Sequence, residues 1–532
     1  MSRKKSKTYR LLQFTRITSQ LVFFTLFFIL LLQTRFPGED YIGEVEIFFH
    51  FDPLLALTTY LASHLIFNLF LLSVITLIVT LLVGRVFCGW VCPLGALHQF
   101  SSFVFKKLKW LKPKTKSTFS PKLWKYYLLI FLLISSFLTL DLVGFFDPFS
   151  FLYRSFITGI LPALALVFSA LISLFYQLHL FTIGDSLVQF SENLGINTVF
   201  LQALGLSLLF LFVLLLNLKK ERFWCRYVCP LGALLGLFAR WNRLKIKIDE
   251  EKCIKCNLCT FECETDAIPY PPEKWTITEC VYCFTCSAIC PTGAITFPFK
   301  LSPQRTAMVN LSRRQLLVSS LLGALAVPFF RLSPDRHRAS AKRIRPPGAL
   351  PEEKFLRKCV KCGECLKVCP TNGLQPALTE AGPEGIWTPI LVPRIGHCEY
   401  YCTLCSQVCP TGAIQELRVE DKATIKIGTA WIDKNRCIPW KIGEPCIVCE
   451  EHCPVSPKAI QLVETQVRQP DGLLKTQRAP FINLEQCTGC GICENKCPVV
   501  DEPAIYVTSV GETRSESNRV LLETIATGGD PY

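Results

Sequence analysis

"CVYCFTCSAICP", residues 280–291, places Cys280, Cys283, Cys286 and Cys290 in the spacing C-x2-C-x2-C-x3-C, with Pro291 directly behind the last. Three thiolates so spaced wrap one iron cubane, while the fourth, turned away by the proline, reaches a neighbouring cubane. The spacing recurs as Cys359, Cys362, Cys365, Cys369 with Pro370, and as Cys487, Cys490, Cys493, Cys497 with Pro498. Near relatives are Cys253, Cys256, Cys259, Cys263, where Glu264 stands for the proline; Cys398, Cys402, Cys405, Cys409, with a longer first gap; and Cys437, Cys446, Cys449, Cys453, with an eight-residue first gap. Six groups predict six 4Fe-4S clusters. In the first pair, Cys253, Cys256, Cys259 and Cys290 hold one cluster and Cys280, Cys283, Cys286 and Cys263 the other. Structural zinc also takes four cysteines, but its sites usually separate two C-x2-C knuckles, which makes zinc the weaker reading. After residue 352 the sequence leaves open whether the first group pairs with the second or the fourth. The nested order usual in multi-cluster subunits, first with fourth and second with third, is expected.

The chain is too long, at 532 residues with 28 cysteines, for a small disulfide-stapled scaffold. Two methionines give a Met-rich copper handler little support. Half the residues are hydrophobic, and the net charge of +15 gathers in basic clusters beside apolar runs. That pattern fits membrane topology and lipid headgroups; no nucleic-acid partner is expected.

Apolar runs at about 17–35, 62–84, 125–144 and 197–217 are expected to span a bilayer. "MSRKKSKTYR" at the start, "KKLKWLKPKTKSTFSPKLWK" (106–125) and the basic stretch after 217 are placed in the cytoplasm by the positive-inside rule. A further run at 157–176 would upset that arrangement by crossing, so it is expected as a re-entrant or interfacial helix on the outer side. An internal repeat supports two equivalent hairpins: "FDPLLAL" (51–57) with "FCGWVCPLGALHQF" (87–100) recurs as "FDPFSFL" (146–152) with "FWCRYVCPLGALLGLF" (223–238).

The repeat carries the remaining cysteines, Cys88, Cys92, Cys225 and Cys229. In each C-x3-C-P the two thiols are expected on one helical face, with Pro93 or Pro230 ending the helix and both sulfurs at the membrane surface. They are candidates for a seventh iron-sulfur site or a redox dithiol; inert helix-end cysteine is the plain alternative. Asp52 and Asp147, expected at the outer face, are candidates to accept protons from quinol, although Asp-Pro is also an ordinary helix start. His64 and Asn68, one turn apart, are weaker candidates for the same site. His98 and His179 carry less information.

The expected fold is an α-helical multi-pass membrane domain (1–245) followed by α+β ferredoxin domains of the bacterial two-cluster type. These are a two-cluster domain (246–300), a twin-arginine-like signal or anchor (311–330), a basic Pro-rich linker (331–351), a four-cluster domain (352–510) and a polar tail (511–532).

Over residues 1–300, the duplicated C-x3-C-P hairpins followed by two cluster motifs resemble NapH, the membrane subunit of a quinol dehydrogenase, and the membrane part of NosR. From "SRRQLLVSS" (312–320) onward, a twin-arginine signal followed by four cluster motifs is similar to NapG of the MauM/NapG type. Departures are Glu264, the outer insert at 157–195, and Leu where the signal usually has Phe. The resemblance implies electron transfer from the quinone pool to a c-type cytochrome or periplasmic reductase. It implies a multi-pass protein of the bacterial inner (cytoplasmic) membrane, with the 253–290 clusters cytoplasmic and the C-terminal ferredoxin domain periplasmic. Clusters are assembled in the cytoplasm, so that domain would cross folded, by the twin-arginine route through Arg313 and Arg314. The basic residues after the signal argue the other way, and "RASA" (338–341) reads as a cleavage site.

Two other readings remain. One is a NosR- or CcoG-like assembly or regulatory protein for a metalloenzyme; the other keeps all six clusters in the cytoplasm and feeds the quinone pool. The sequence has no C-x-x-C-H haem site, P-loop or G-x-G-x-x-G unit, so no nucleotide cofactor is expected.

Overall fold

The computed structural model describes residues 7–34, 46–64, 69–108, 110, 123–194, 199–268, 275–299, 311–331, 341–468, 474–515 and 518. Asn68, most of the 106–125 basic stretch, residues 332–340 with most of "RASA", and most of the tail lie outside them. The chain divides into two compact units. One comprises residues 1–34, 42–328 and 360–362, the other residues 35–41, 329–359 and 363–532.

The first unit is built on helices α1 (Lys7–Gln33), α2 (Pro53–Ser63), α3 (Leu69–Val83), α4 (Val86–Trp90), α5 (Pro93–Lys107), α6 (Trp124–Phe137), α7 (Pro148–Gln177), α8 (Phe181–Leu194), α9 (Ala203–Leu215), α10 (Phe223–Tyr227), α11 (Pro230–Ala239) and α12 (Arg313–Arg331). Two stretches, Tyr9–Gln33 and Pro148–Gln177, are long and apolar enough to cross a membrane; the shorter apolar helices run 10–17 residues. The expected span at 62–84 is broken, because α2 stops at Ser63 and His64 turns left-handed (φ 56°) before α3 begins. Nor is 157–176 a separate element: it continues, through a π turn at Phe156–Ile160, the helix that starts at Pro148.

Both departures have one cause. Each Asp-Pro starts a helix inside the bundle rather than at its rim. Thr76 Oγ1 donates to the Phe51 carbonyl at 2.8 Å, which sets Asp52 about halfway along α3. In the second repeat Phe151 packs on Phe210 at 5.8 Å, and a Cβ on Gly159 would meet Ser207 Oγ at 2.8 Å, so α7 climbs antiparallel to α9. The far half of α7 is covered by α8 through Phe168–Phe190 (5.9 Å) and the Tyr176 hydroxyl on Asp185 (2.6 Å).

Helix α12 touches α6 near each end of α6. The Ser312 N–H donates to Tyr127 Oη at 3.2 Å, and a Cβ on Gly323 would fall 2.8 Å from the Phe131 carbonyl, so the two helices run parallel. Its buried face is Ser319, Gly323 and Ala326, small residues that let the backbones approach.

Strand β1 (Lys247–Ile248) pairs antiparallel with β2 (Ile295–Thr296) and closes the first ferredoxin module end to end. The second unit repeats the device twice. An antiparallel bridge Ala349–Ile414 closes one module, which contains β3 (Leu374–Pro376) against β4 (Pro389–Leu391). The other is closed by β5 (Thr429–Ile432) on β8 (Ile505–Thr508), with the hairpin β6 (Ile460–Arg468) and β7 (Leu474–Ile482) inserted between. The expected four-cluster domain is therefore two modules in tandem.

Arginines tie the ends of this unit together. Arg345 donates to both oxygens of Glu352, at 2.6 and 3.2 Å, and Arg514 Nη1 donates to Oε2 at 2.9 Å. Burial alone would push the Glu352 carboxyl up, but Arg345, Arg514 and Arg343 outweigh it and hold the pKa at about 2, against an ordinary 4.5. A depressed carboxylate contributes stability that is complete above pH 4.5 and lost as pH falls toward 2, here on the order of 3 kcal/mol. Stepwise urea unfolding followed by tryptophan fluorescence is expected to show this loss between pH 4.5 and 2 in the wild type. In Glu352→Gln the unit is weaker at pH 7, and its stability changes little across that window.

Candidate iron-sulfur sites

The C-x2-C-x2-C loops owe their shape to backbone in the left-handed region. Both residues flanking the middle cysteine are left-handed in four loops: Lys255 and Asn257, Tyr282 and Phe284, Lys361 and Gly363, Gly489 and Gly491. A non-glycine residue there costs roughly 1–2 kcal/mol, strain that persists where a function demands the turn. The turn gathers three sulfurs, and the fourth comes from elsewhere.

Three such gatherings line pockets that are partly open to solvent. Cys253, Cys256, Cys259 and Cys290 line one of about 400 Å³. Cys369 joins Cys398, Cys402 and Cys405 around one of about 390 Å³. Cys497 joins Cys437, Cys446 and Cys449 around one of about 370 Å³. Cys263 lies within electrostatic reach of Cys280, Cys283 and Cys286, and Cys453 of Cys487 and Cys490. Cys409 sits beside Lys358, next to Cys359. The groups after 352 thus pair first with second and third with fourth, which corrects the nested order. Closing each module with its own terminal strands keeps the cross-ligating loops near in sequence, where loop closure costs least.

The donor sets suit iron-sulfur clusters: soft thiolates, none in a disulfide, beside buried cations. Lys422, 7% exposed, donates to the Cys402 carbonyl at 2.6 Å and to the Glu399 carbonyl. Burial pushes the Cys405 and Cys493 thiols well above their ordinary range, so holding them as thiolates falls to nearby positive charge, which bound iron supplies.

The first module docks on the two C-x3-C-P hairpins. Glu264, in the place of the usual proline, pairs with Arg222 Nε at 3.0 Å and accepts from Gln99 Nε2 at 3.0 Å. Gln99 in turn accepts from Arg16 (3.1 Å), Gln20 (2.9 Å) and Arg222. One residue before Cys280, Glu279 receives Lys125, Tyr126 Oη at 2.9 Å and Arg85 at 3.5 Å. Burial would raise the Glu279 carboxyl; Lys125 and Arg85 hold it below the ordinary range. Trp90 Nε1 closes the seam by donating to the Tyr282 carbonyl at 3.1 Å.

Cys88 and Cys92 lie within electrostatic reach of Cys225 and Cys229 in this core. Pro93 and Pro230 do not end helices as expected: they occupy the first turn of α5 and α11, with Cys92 and Cys229 as N-caps. Cys92 and Cys229 are buried rather than presented at a surface.

Asp52 and Asp147 are fully buried, not at an outer face, and lie within electrostatic reach of one another. Both also cap helices: Asp52 Oδ1 accepts from the Leu54 and Leu55 N–H groups at 2.7 and 3.2 Å, and Asp147 Oδ2 from Ser150 N–H at 2.7 Å. Their other oxygens, Asp52 Oδ2 and Asp147 Oδ1, have no further hydrogen-bond partner. His64 is not brought to them; it caps the far end of α2 and is exposed. His98 is buried against Asn217 at 2.8 Å.

Arg85 and Arg222 went unnoticed in the sequence. Each stands three residues before the first cysteine of its pair, so the repeat carried the signal. Lys125, a charge opening an apolar run, was a second hint. Gln99, where the other repeat has Gly236, gave none.

Residues 65–113 and 202–249 each match a 4Fe-4S binding domain family. Residues 358–413 match a 4Fe-4S dicluster domain, and 246–268 and 480–500 a further 4Fe-4S binding domain. The methylamine utilization ferredoxin-type protein MauM of Methylorubrum extorquens is 36% identical over 209 residues, spanning 37% of this chain and 88% of the relative. The ferredoxin-type protein NapG of Escherichia coli is 34% identical over 219 residues, spanning 40% and 92%. No solved structure matches the chain.

Reduction adds negative charge to a cluster, and removing the cation beside Cys398 and Cys402 disfavours that step. Lys422→Gln is expected to lower one midpoint potential by roughly 50–100 mV in spectroelectrochemical titration, with iron content unchanged. Glu264→Gln leaves Arg222 with a neutral neighbour. It is expected to loosen the first module, read as faster hydrogen exchange at 275–290 with iron retained.

Proposed function

This chain belongs to the ferredoxin-type proteins that include MauM and NapG, and from that premise we propose a membrane-bound iron-sulfur carrier that oxidises quinol and delivers electrons to a periplasmic reductase or c-type cytochrome. Bound 4Fe-4S clusters would supply the one-electron carriers, held by the cysteine sets described above. The observation that carries the quinol assignment is the Asp52–Asp147 pair. Two neighbouring buried carboxyls, each with one oxygen free of hydrogen bonds, can share a proton, and in a dry interior such a pair can take up or release one without creating two adjacent charges.

The surroundings suit a quinone ring. Phe49 and Phe149 pack at 6.3 Å, Tyr153 stands 6.3 Å from Phe49, and the buried Thr59 hydroxyl has no partner. Aromatic contacts run on toward the hairpin cysteines. Phe149 packs on Phe87, beside Cys88, at 6.0 Å, and Phe151 stacks on Trp224, beside Cys225, at 4.9 Å.

A multi-pass arrangement in the inner membrane accounts for the apolar side chains that unit one exposes, among them Leu71 (77%), Leu166 (72%) and Leu204 (73%). The direction of α12 bears on location. The basic stretch before α6 marks the cytoplasmic end of that helix, and α12 runs parallel to it from Arg313 and Arg314 outward. Residues beyond 331 are then periplasmic, and the small-residue packing of α12 favours a retained anchor over a cleaved signal.

Addition of quinol to anaerobically purified protein is expected to raise the EPR signals of reduced clusters. Asp52→Asn and Asp147→Asn slow this about 100-fold with iron retained. An epitope tag placed at the C-terminus is expected to be reached by antibody in intact spheroplasts. A tag that stays protected, or clusters that quinol never reduces, would refute the reading and favour the cytoplasmic or assembly alternatives.

A further inference from the structure

The hairpin cysteines are not absorbed by the six ferredoxin sets. Each matched 4Fe-4S segment in the repeats contains only two of them, half a ligand set. The fold completes the set, since Cys88 and Cys92 from one repeat stand within electrostatic reach of Cys225 and Cys229 from the other.

Backbone without a side chain lies directly against the sulfurs. Three residues after the second cysteine of each pair is a glycine. A Cβ on Gly95 would sit 3.8 Å from Cys92 Sγ and 2.8 Å from the Cys88 carbonyl; one on Gly232 would sit 3.5 Å from Cys229 Sγ and 2.8 Å from Arg85 Nη2. Helix amides point at the sulfurs, with the Gly232 N–H 3.2 Å from Cys229 Sγ and the Gly95 N–H bonded to Cys92.

Charge indicates what the sulfurs hold. Arg85 is 2% exposed, with Nη2 4.0 Å from Cys88 Sγ and an Nε without a partner. Arg222 is 1% exposed, its Nη1 is likewise unpartnered, and it lies in reach of Cys225, Cys88 and Cys283. Arg85 shares Glu279 with Lys125, which leaves positive charge in excess beside Cys88. A pair of disulfides is neutral and would leave that excess buried and uncompensated. A four-thiolate iron-sulfur centre is net negative and offsets it.

We propose that Cys88, Cys92, Cys225 and Cys229 together ligate one additional iron-sulfur cluster at the joint of the two repeats, with Arg85 and Arg222 balancing its charge. The proposal rests on the iron-sulfur character of the chain and not on the quinol assignment.

Native mass spectrometry of the anaerobically prepared full-length chain counts clusters directly. The wild type is expected to carry six cubanes plus one further cluster. Cys88→Ser/Cys225→Ser, and separately Gly232→Val with all cysteines intact, lose that one alone and keep the EPR signals of the other six. A wild type with six only, disulfides among the four cysteines in the anaerobic sample, or equal counts in wild type and variants would overturn the proposal. Should a variant lose every cluster, the wild-type count decides. Seven clusters that quinol fails to reduce would sink the quinol assignment and leave this site standing.

Discussion

A tight cysteine loop supplies three thiolates to a cluster and no more, and the structure is organised around where the fourth comes from. In each ferredoxin module it comes from the last cysteine of the other loop, so the two loops must be held face to face. The short terminal strand pairs, Lys247–Ile248 on Ile295–Thr296 and Thr429–Ile432 on Ile505–Thr508, do that holding. They are too short to be stable as isolated sheets, and cross-ligation is what makes such small modules viable. The C-x3-C-P hairpins carry two thiols each, and duplication brings the two pairs into one core.

Charge is the second constraint. Thiolates around iron stay anionic, and burying them without compensation is costly. Cations are buried beside the sulfurs: Arg85 and Arg222 at the hairpins, Arg16 near Cys283, Lys422 near Cys398. Glu279 and Glu264 then balance the cations and at the same time bind the first module to the helices. Ion pairs buried this deeply add little net stability, but losing one member costs several kcal/mol, so their effect is to fix a single docking geometry.

What the sequence showed follows from the range over which each feature acts. Ligand spacing is local, so every cysteine group could be read, and the repeat exposed two equivalent hairpins. It could not show that equivalent residues meet. Asp52 and Asp147 lie in different repeats, and only the packing of α2 and α7 brings them together. The break at His64 was hidden because apolar residues lie on both sides of it. The nested order failed because the bridge Ala349–Ile414, which closes its module, is too short to leave a pattern. Arg85 and Arg222 were legible, had the repeat been read three residues further upstream.

Glu264 shows how a local rule yields to a docking requirement. Pro291, Pro370, Pro410, Pro454 and Pro498 follow the last cysteine of the other five groups, where the ring turns the chain and sends the sulfur toward the neighbouring set. Only Cys263, whose loop faces the hairpins, lacks it. The Cys263 turn is held instead by the Ala267 N–H, which donates to its sulfur at 3.3 Å, and by the Glu264 carboxylate anchored on Arg222 and Gln99. Proline would fix the same turn but present no charge to a buried guanidinium. Glutamate gives up some rigidity and gains the contact that links the ferredoxin module to the hairpin core. Arg222, which receives it, also lies in reach of both Cys283 and Cys225. One side chain therefore couples the position of the first module to the charge balance of the hairpin cysteines, which is why the exception falls at this group and not at the others.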